Sequence, residues 1–276
     1  MSRFPDRLAP RASLTVTLVA CAAAARPEAV VDVAGRVVAT EPRLEVSLTL
    51  TNRSDRRTGP IDVVGELDGQ RRDARLASGL EPRGQASLTL EFASAPRRPG
   101  RHALTLLFEH PLEGRPDAAG NPPLASERAW LTLAFGASPG EAVRLEAEPL
   151  SLDARGTLAV RLESRDGEGR RVRLRALTPR GLRADGEPIE VEVPPRGMAT
   201  AQLPILRTSA ARGSRTALVL VAETPDGPLA RTSVVGVAVE VLPDPSRVAR
   251  LRPLILTLGL ALLAAAAVYQ VWSRRA

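Results

Sequence analysis

Apolar and polar residues alternate along most of the chain between its two ends. The clearest segment is 44–51, where Leu, Val, Leu and Leu alternate with Glu, Ser, Thr and Thr. The same period recurs in three further segments, 86–92, 104–108 and 131–135. A period of two places successive side chains on opposite faces of a strand, so these segments are predicted to be half-buried β-strands. Turn-forming Gly, Pro, Asn and Asp separate them, and several short strands at this spacing predict an all-β fold built from β-sandwiches.

The second half of the chain repeats the pattern of the first half. Pro82-Arg83-Gly84 and the strand after it align with Pro195-Arg196-Gly197 at a shift of 113 residues. At a shift of 114 residues, Ala103-Leu104-Thr105-Leu106 aligns with Ala217-Leu218-Val219-Leu220. A period near 110 residues is typical of one sandwich domain per copy and is too long for a solenoid repeat. We therefore predict two tandem modules at 28–137 and 141–242.

Three motifs of the first module resemble a known family. They are Leu-Thr-Asn-Arg-Ser at 50–54, Leu-Glu-Pro-Arg-Gly at 80–84 and Pro-Gly-Arg-His-Ala-Leu at 99–104. Together they resemble the immunoglobulin-like, adhesion-type modules of bacterial and archaeal surface proteins, in which a strand closes on an Asn-rich turn. The second copy matches more loosely, with Asp166 in place of Asn52. The resemblance implies two tandem immunoglobulin-like β-sandwich domains. In layout alone, the chain also resembles the WxL-interacting surface proteins and, in its two domains, the periplasmic pilus chaperones.

The C-terminal end is predicted to be a single transmembrane α-helix. Residues 254–272 carry no charge, and at 1.5 Å per residue they form about 28 Å of helix, close to the hydrocarbon thickness of a bilayer. The predicted membrane-interface residues are Arg250, Arg252, Tyr269, Trp272, Arg274 and Arg275. The alternative, a buried helix of a soluble domain, is disfavoured because helices that are apolar all round and flanked by Arg are rare in all-β proteins. A juxtamembrane linker at 243–253 and a cytoplasmic tail at 273–276 follow from this assignment.

The N-terminal end, residues 1–25, is predicted to be a secretory signal peptide. Arg3, Arg7 and Arg11 precede an apolar stretch at 14–25 that is too short to span a bilayer. Leu18-Val19-Ala20-Cys21 resembles a bacterial lipobox, so Cys21 is a candidate lipidation site. The other reading is ordinary cleavage after Ala24 or Ala25, which removes Cys21 with the peptide. Cys21 is the single cysteine, so no intrachain disulfide forms by either route.

These two ends together predict the location of the protein. An exported N-terminus followed by one stop-transfer helix places residues 27–249 on the extracytoplasmic side of the cytoplasmic (inner) membrane of a bacterium. The arginine count slightly opposes this orientation, because three Arg lie just before the helix and two lie after it. The signal sequence decides the orientation here, since it commits the N-terminal part to export.

The charge of the chain does not indicate nucleic acid. The net charge is +7, but every one of the 38 basic residues is Arg and no Lys occurs, a bias typical of GC-rich bacterial genomes. Aromatic residues make up 3% of the chain, too few for base-stacking surfaces. We expect no nucleic-acid partner, whereas an anionic glycan or lipid headgroup stays open.

One run of arginines is a candidate binding face. Arg171, Arg173 and Arg175 alternate with apolar residues, so all three guanidinium groups are predicted to line the solvent face of one strand. Arg161 and Arg165, from the preceding strand, are expected beside them. Two readings are open: an anion-binding or partner-binding face, or a cross-strand charge ladder with Glu190 and Glu192.

No group of residues indicates catalysis, a cofactor or a metal. His102 and His110 lie at opposite ends of one predicted strand, about 25 Å apart at 3.3 Å per residue, so a shared metal is not expected. Both histidines are predicted to lie at the surface or at a hairpin end. Asp117–Asn121 and Asp226-Gly227 are predicted to be turns rather than calcium ligands. No nucleophile elbow, phosphate loop or zinc-helix motif occurs in the sequence.

The expected function is therefore that of a non-enzymatic, membrane-anchored envelope protein. Its two immunoglobulin-like domains would form an extracytoplasmic scaffold or recognise a protein partner within an envelope complex. One alternative is a carbohydrate- or anionic-polymer-binding module, for which Trp130, on the face opposite Leu131 and Leu133, would be the exposed aromatic. The other alternative is an assembly chaperone that offers a free β-edge to partner strands.

Overall fold

The computed structural model describes residues 31–40, 43–111, 124–136, 139–165, 167–186, 188–225, 227–243 and Thr257. These residues are nearly all β, with sixteen strands, which confirms the predicted all-β class. Among them, no helix has the length and apolar character needed to cross a bilayer. The predicted signal peptide with Cys21 lies outside the described residues. So do the flanking interface arginines and all of residues 254–272 except Thr257.

The first β-unit contains seven strands in two antiparallel layers. The strands are β1 (Val31–Thr40), β2 (Arg43–Asn52), β3 (Ile61–Leu67), β4 (Gln70–Leu76), β5 (Gln85–Phe92), β6 (Gly100–Pro111) and β7 (Leu124–Phe135). One layer has the order β1-β2-β5, and the other has the order β4-β3-β6-β7. The register follows the alternation in the sequence, with Leu48 opposite Leu88 and Leu104 opposite Leu131.

The second β-unit repeats this arrangement and adds two short strands. Its strands are β8 (Val143–Ala147), β9 (Leu150–Leu152), β10 (Arg155–Ser164), β11 (Arg170–Leu177), β12 (Leu182–Ala184), β13 (Ile189–Val193), β14 (Met198–Arg207), β15 (Arg215–Glu223) and β16 (Ala230–Val241). One layer has the order β8-β10-β14-β12, and the other has the order β13-β11-β15-β16-β9. Strands β9 and β12 have no counterpart among the described residues of the first unit, and both extend the edge of a layer.

Each unit has its own hydrophobic core between its two layers. In the first unit, the predicted inward residues Leu44, Val46, Leu48, Leu50, Leu104, Leu106, Phe108, Leu131 and Leu133 are each at most 2% exposed. Leu90 and Phe92 are buried with them, whereas Ala86 and Leu88, on the same face of β5, are half-buried. In the second unit, Leu158, Val160, Leu162, Leu203, Leu218 and Leu220 occupy the corresponding positions.

The repeated Pro-Arg-Gly turn has the same backbone in both units. Arg83 has a φ of 57° and Arg196 a φ of 50°, and both residues follow a proline. The Gly84 N–H donates to the Glu81 carbonyl at 2.9 Å, and the Gly197 N–H donates to the Pro194 carbonyl at 3.1 Å. A positive φ at the third position of a four-residue turn is the geometry of a type II turn, which normally takes Gly or Asn there.

The ends of β2 and β10 are held by the same backbone hydrogen bond, and the correspondence between the two units differs from the one predicted from the sequence. The Asn52 N–H donates to the Gly84 carbonyl at 2.9 Å, and the Ser164 N–H donates to the Gly197 carbonyl at 3.1 Å. The counterpart of Asn52 is therefore Ser164 rather than Asp166, which lies outside the described residues.

Candidate functional site

The predicted arginine strand is β11, and two of the three arginines singled out in the sequence face solvent. Arg171 lies opposite Glu192 and Arg173 lies opposite Glu190 on the neighbouring strand β13. Arg171 and Arg173 are exposed. The two glutamates are also exposed, so each arginine has a carboxylate beside it on the same face. This register is the one required by the charge-ladder reading, and it reduces the net positive charge of the face.

Arg175 is not part of this exposed face. Its Nη1 lies 3.2 Å from Glu66 Oε1 on β3 of the first unit, and its Nη2 lies 3.0 Å from Glu223 Oε1 on β15. Its side chain is 29% exposed, because the first unit covers this end of β11. Arg175 therefore links the two β-units.

Arg161 does not extend the face either. It lies on β10, which belongs to the opposite layer of the second unit. There the Arg161 Nε lies 2.9 Å from the sulfur of Met198 on β14. The sequence correctly places Arg161 on the preceding strand, but that strand crosses to the other layer, so the expected cluster with Arg171 does not form.

The two β-units are joined by a short stretch of parallel strand pairing. Ala230 and Arg231, at the start of β16, pair with Gly100 and Arg101, at the start of β6. The Ala230 N–H donates to the Pro99 carbonyl at 2.8 Å. One layer of each unit therefore continues into the other as a single nine-stranded sheet.

Polar contacts surround this junction on several sides. They are Arg128 Nε to the Thr178 carbonyl at 3.0 Å, the Arg180 N–H to Ser126 Oγ at 2.8 Å, Arg98 Nη1 to the Pro225 carbonyl at 2.9 Å, and Arg101 Nη2 to Glu141 Oε1 at 2.8 Å. Strands β6 and β15 are buried on both faces near their centres, with Thr105 at 4% exposure and Val221 at 0%. A strand buried on both faces has a core on one side and a second contact on the other, so the junction is a packed interface.

Arg128 is a partly buried charge of the junction. Burial lowers the pKa of the Arg128 guanidinium below its ordinary value, while the nearby carboxylates of Glu66 and Glu109 act in the opposite direction. Arg71 adds a smaller lowering, since it carries the same charge. The junction thus brings arginines and glutamates from both units into one partly buried cluster, in which most of the charges have an opposite charge nearby.

The two histidines lie near the ends of β6, as predicted, but both are buried rather than at the surface. His102 is 5% exposed, with its Nε2 2.9 Å from the Arg98 carbonyl and its ring edge-on to Phe135. His110 is 1% exposed, with its Nε2 3.4 Å from Glu127 Oε1. Both lie on the inward face of β6, whose alternation continues to the ends of the strand. No cluster of three or more potential metal-ligating His, Cys, Asp or Glu occurs within the described residues.

Trp130 lies on the outward face of β7, as its alternation with Leu131 predicts, but it is half-buried. It lies opposite the buried Thr105, on the side of the sheet that the second unit approaches. This position reduces the flat aromatic surface that would be available for stacking on a sugar ring.

Comparison with known proteins identifies no family. No protein-family profile and no curated protein matches the chain. Trypsin-activated α2-macroglobulin from Escherichia coli is 10% identical with a TM-score of 0.30, and the alignment covers 76% of this chain and 18% of that chain. A protein from Porphyromonas gingivalis W83 is 15% identical with a TM-score of 0.28, over 77% of this chain and 100% of that chain. A Ca²⁺-stabilised adhesin from an Antarctic bacterium is 16% identical with a TM-score of 0.22, over 72% and 44% of the two chains.

This chain spans less than a fifth of the length of the α2-macroglobulin that it matches. At these TM-scores the alignments carry no argument about function. The strands themselves define the class, which is an all-β protein built from β-sandwich units.

Proposed function

We propose that the protein is a non-enzymatic, membrane-anchored envelope protein of a bacterium. Its two immunoglobulin-like domains act as a rigid extracytoplasmic scaffold that presents a surface to a protein partner. In the first unit, β1, β2 and β5 form one layer, and β3, β4, β6 and β7 form the other. The second unit has the same order when its two short strands β9 and β12 are set aside, and this order supports an immunoglobulin-like assignment.

The observation that carries the scaffold role is the junction between the two units. Neighbouring domains of a chain usually meet through small, mobile interfaces. Here the pairing of Gly100 with Ala230 continues the sheet from one unit to the next, and Arg175 holds a glutamate of each. A fixed angle between two domains is what a scaffold needs in order to hold a partner at a set position.

The anchoring role rests on the sequence of the two ends. The uncharged stretch 254–272 with flanking arginines supports a single membrane span, and residues 1–25 support export. With both ends assigned in this way, the two domains face away from the cytoplasm.

The test is membrane extraction combined with protease accessibility of the full-length chain. We expect the protein to stay in the membrane pellet after alkaline carbonate, and the region around Trp130 to be cut by protease added to intact spheroplasts. The matched control replaces Leu262 and Leu263, at the middle of the predicted span, with Arg. This should release the chain into the carbonate supernatant because each charge at a helix centre costs about 3 kcal/mol. Release of the unaltered chain by carbonate, or protection of the Trp130 region, would overturn the proposal.

A further inference from the structure

We propose that the free edge of β7, from Ala129 to Phe135, binds an extended segment of a protein partner by strand addition. The segment would run parallel to β7 and carry apolar side chains at alternate positions. This inference deepens the protein-recognition part of the proposed function, and it rests on that function only for the existence of a partner.

In the second unit, a short strand of the chain itself covers the edge that corresponds to the free edge of β7. At the corresponding edge of β16, residues 239–241 pair in parallel with β9, residues 150–152. The Leu242 N–H donates to the Leu152 carbonyl at 2.8 Å. Leu150 and Leu152 enter the core with 9% and 0% exposure, while Ser151 faces outward. The pair of leucines thus seals the side of the second sandwich.

The first unit lacks a strand of this kind within its described residues. Its first strand, β1, stays paired with β2 over all ten of its residues and does not cross to β7. Strand β7 pairs with β6, and no other described strand pairs with it. Alternate backbone N–H and carbonyl groups on the far side of β7 are therefore positioned to pair with an added strand.

The residues of this edge are also unlike those of most other edges. Proteins commonly protect free edges with charged side chains that oppose strand addition. Strand β4 carries Arg71, Arg72, Asp73 and Arg75, strand β8 carries Arg144 and Glu146, and strand β13 carries Glu190 and Glu192. The stretch from Ala129 to Phe135 reads AWLTLAF, with no charge, Gly or Pro. A free edge with this composition would promote aggregation unless it were covered by a partner.

Strand β5 is the nearest rival, since its residues 85–90 are also uncharged. Its edge, however, is partly covered by the hairpin of β3 and β4. Arg72 Nε donates to the Glu91 carbonyl at 2.9 Å, and Gln70 Nε2 donates to the Ser94 carbonyl at 3.0 Å. The described contacts therefore favour β7 as the open edge.

The test uses hydrogen exchange on the full-length chain with a peptide that copies residues 146–154, the segment that contains β9. In the protein alone, we expect the edge amides of 131–135 to exchange at least about ten-fold faster than those of 239–241. Saturating peptide should slow them by a similar factor. A peptide with Leu150→Asp and Leu152→Asp should leave them unchanged, because charged residues cannot enter the side of the sandwich.

A pair of protein variants locates the binding edge. Thr132→Lys places a charge on the β7 edge and should weaken peptide binding at least about ten-fold, whereas Thr89→Lys on β5 should change it less than about two-fold. Equal binding by both variants would overturn the proposal. So would slow exchange of 131–135 in the protein alone, which would show that the chain itself or a second copy already covers the edge. None of these measurements involves the membrane, so their failure is distinct from failure of the anchoring test.

Discussion

Gly100 and Ala230 lie in such close contact that no side chain fits between them. A Cβ placed on Gly100 would lie 2.6 Å from the Ala230 backbone nitrogen and closer still to its carbonyl oxygen. Gly100 also has a φ of 131°, a conformation that side chains strongly disfavour. The residue that joins the two β-units is thus a glycine for two independent reasons.

Replacing Gly100 with Ala should therefore weaken the junction. We expect a loss of at least about 2 kcal/mol in the free energy of unfolding, since backbone strain of this kind costs about 1–3 kcal/mol before any overlap is counted. At about 2–4 °C per kcal/mol, calorimetry should record a lower unfolding temperature. The unfolding peak should also separate into two, because the units would no longer unfold together.

Gly69 provides the matched control for this substitution. It too has a positive φ, 77°, but nothing lies within 4 Å of an added Cβ. Gly69→Ala should cost only about 1 kcal/mol and leave a single transition. If both variants lost the same stability, the contact with Ala230 would not hold the units together.

Arg175 should contribute more to stability than Arg173, although the two residues lie on the same face of β11. Arg175→Met leaves Glu66 and Glu223 facing each other, so we expect a cost of about 1–2 kcal/mol after allowance for solvent screening. Arg173→Met should cost less than about 0.5 kcal/mol, since Arg173 is exposed.

Chemical denaturation of both variants measures this difference. A double-mutant cycle of Arg175→Met with Glu66→Gln then isolates the pair that spans the two units. A coupling energy near zero would mean that Arg175 stabilises its own unit alone.

The strands and cores could be predicted from the sequence, because alternation reports the face of each side chain directly. Leu44 to Leu50 illustrate this, since all four inward residues are fully buried. The same rule also applies to His102 and His110, which keep the inward phase of β6. Their burial shows that this phase outweighs the usual preference of polar residues near strand ends for the surface.

The partly buried surface between the units could not be predicted in this way. Arg175 has the same outward phase as Arg171 and Arg173, and the sequence does not show which outward residues the other unit covers. Likewise, Arg161 is close to β11 in the sequence, but it lies on β10, and the chain passes from one layer to the other between β10 and β11. Whether a strand such as β7 lies at an edge depends on which strands pair with it. The alternation of apolar and polar residues along one strand does not specify its partners.

Asn52 should be a stability determinant of the first unit. Its Nδ2 donates to the carbonyls of Arg56 at 2.7 Å and Glu81 at 3.1 Å, and its Oδ1 accepts from the Ser54 N–H at 2.9 Å. Because the side chain is buried, Asn52→Ala leaves several polar groups unsatisfied and should cost about 2–4 kcal/mol. Its counterpart Ser164 makes one such bond, to the Glu168 carbonyl at 2.9 Å, so Ser164→Ala should cost about 1 kcal/mol.

The variant Asn52→Asp should make this loss depend on pH. A carboxylate at this position faces the same carbonyl oxygens, so its pKa in the folded state should rise above the unfolded value of about 3.9. A raised folded-state pKa means that the variant is most stable below pH of about 4 and loses stability as pH rises through the folded-state pKa. Thermal melts of the variant and Asn52→Ala between pH 4 and 8 check this, and parallel curves for the two would contradict it.

The two turn arginines offer a stabilising prediction. Arg196 has a φ of 50°, which costs a side-chain-bearing residue about 1 kcal/mol, so Arg196→Gly should raise the free energy of unfolding by about 0.5–1 kcal/mol. Arg83 has the same strain, but its Nη2 lies 2.8 Å from Asp55 Oδ1. Arg83→Gly removes that exposed ion pair as well and should give a smaller gain. Urea unfolding of both variants compares the gains, and a loss of stability in Arg196→Gly would show that the Arg196 side chain itself supports the turn.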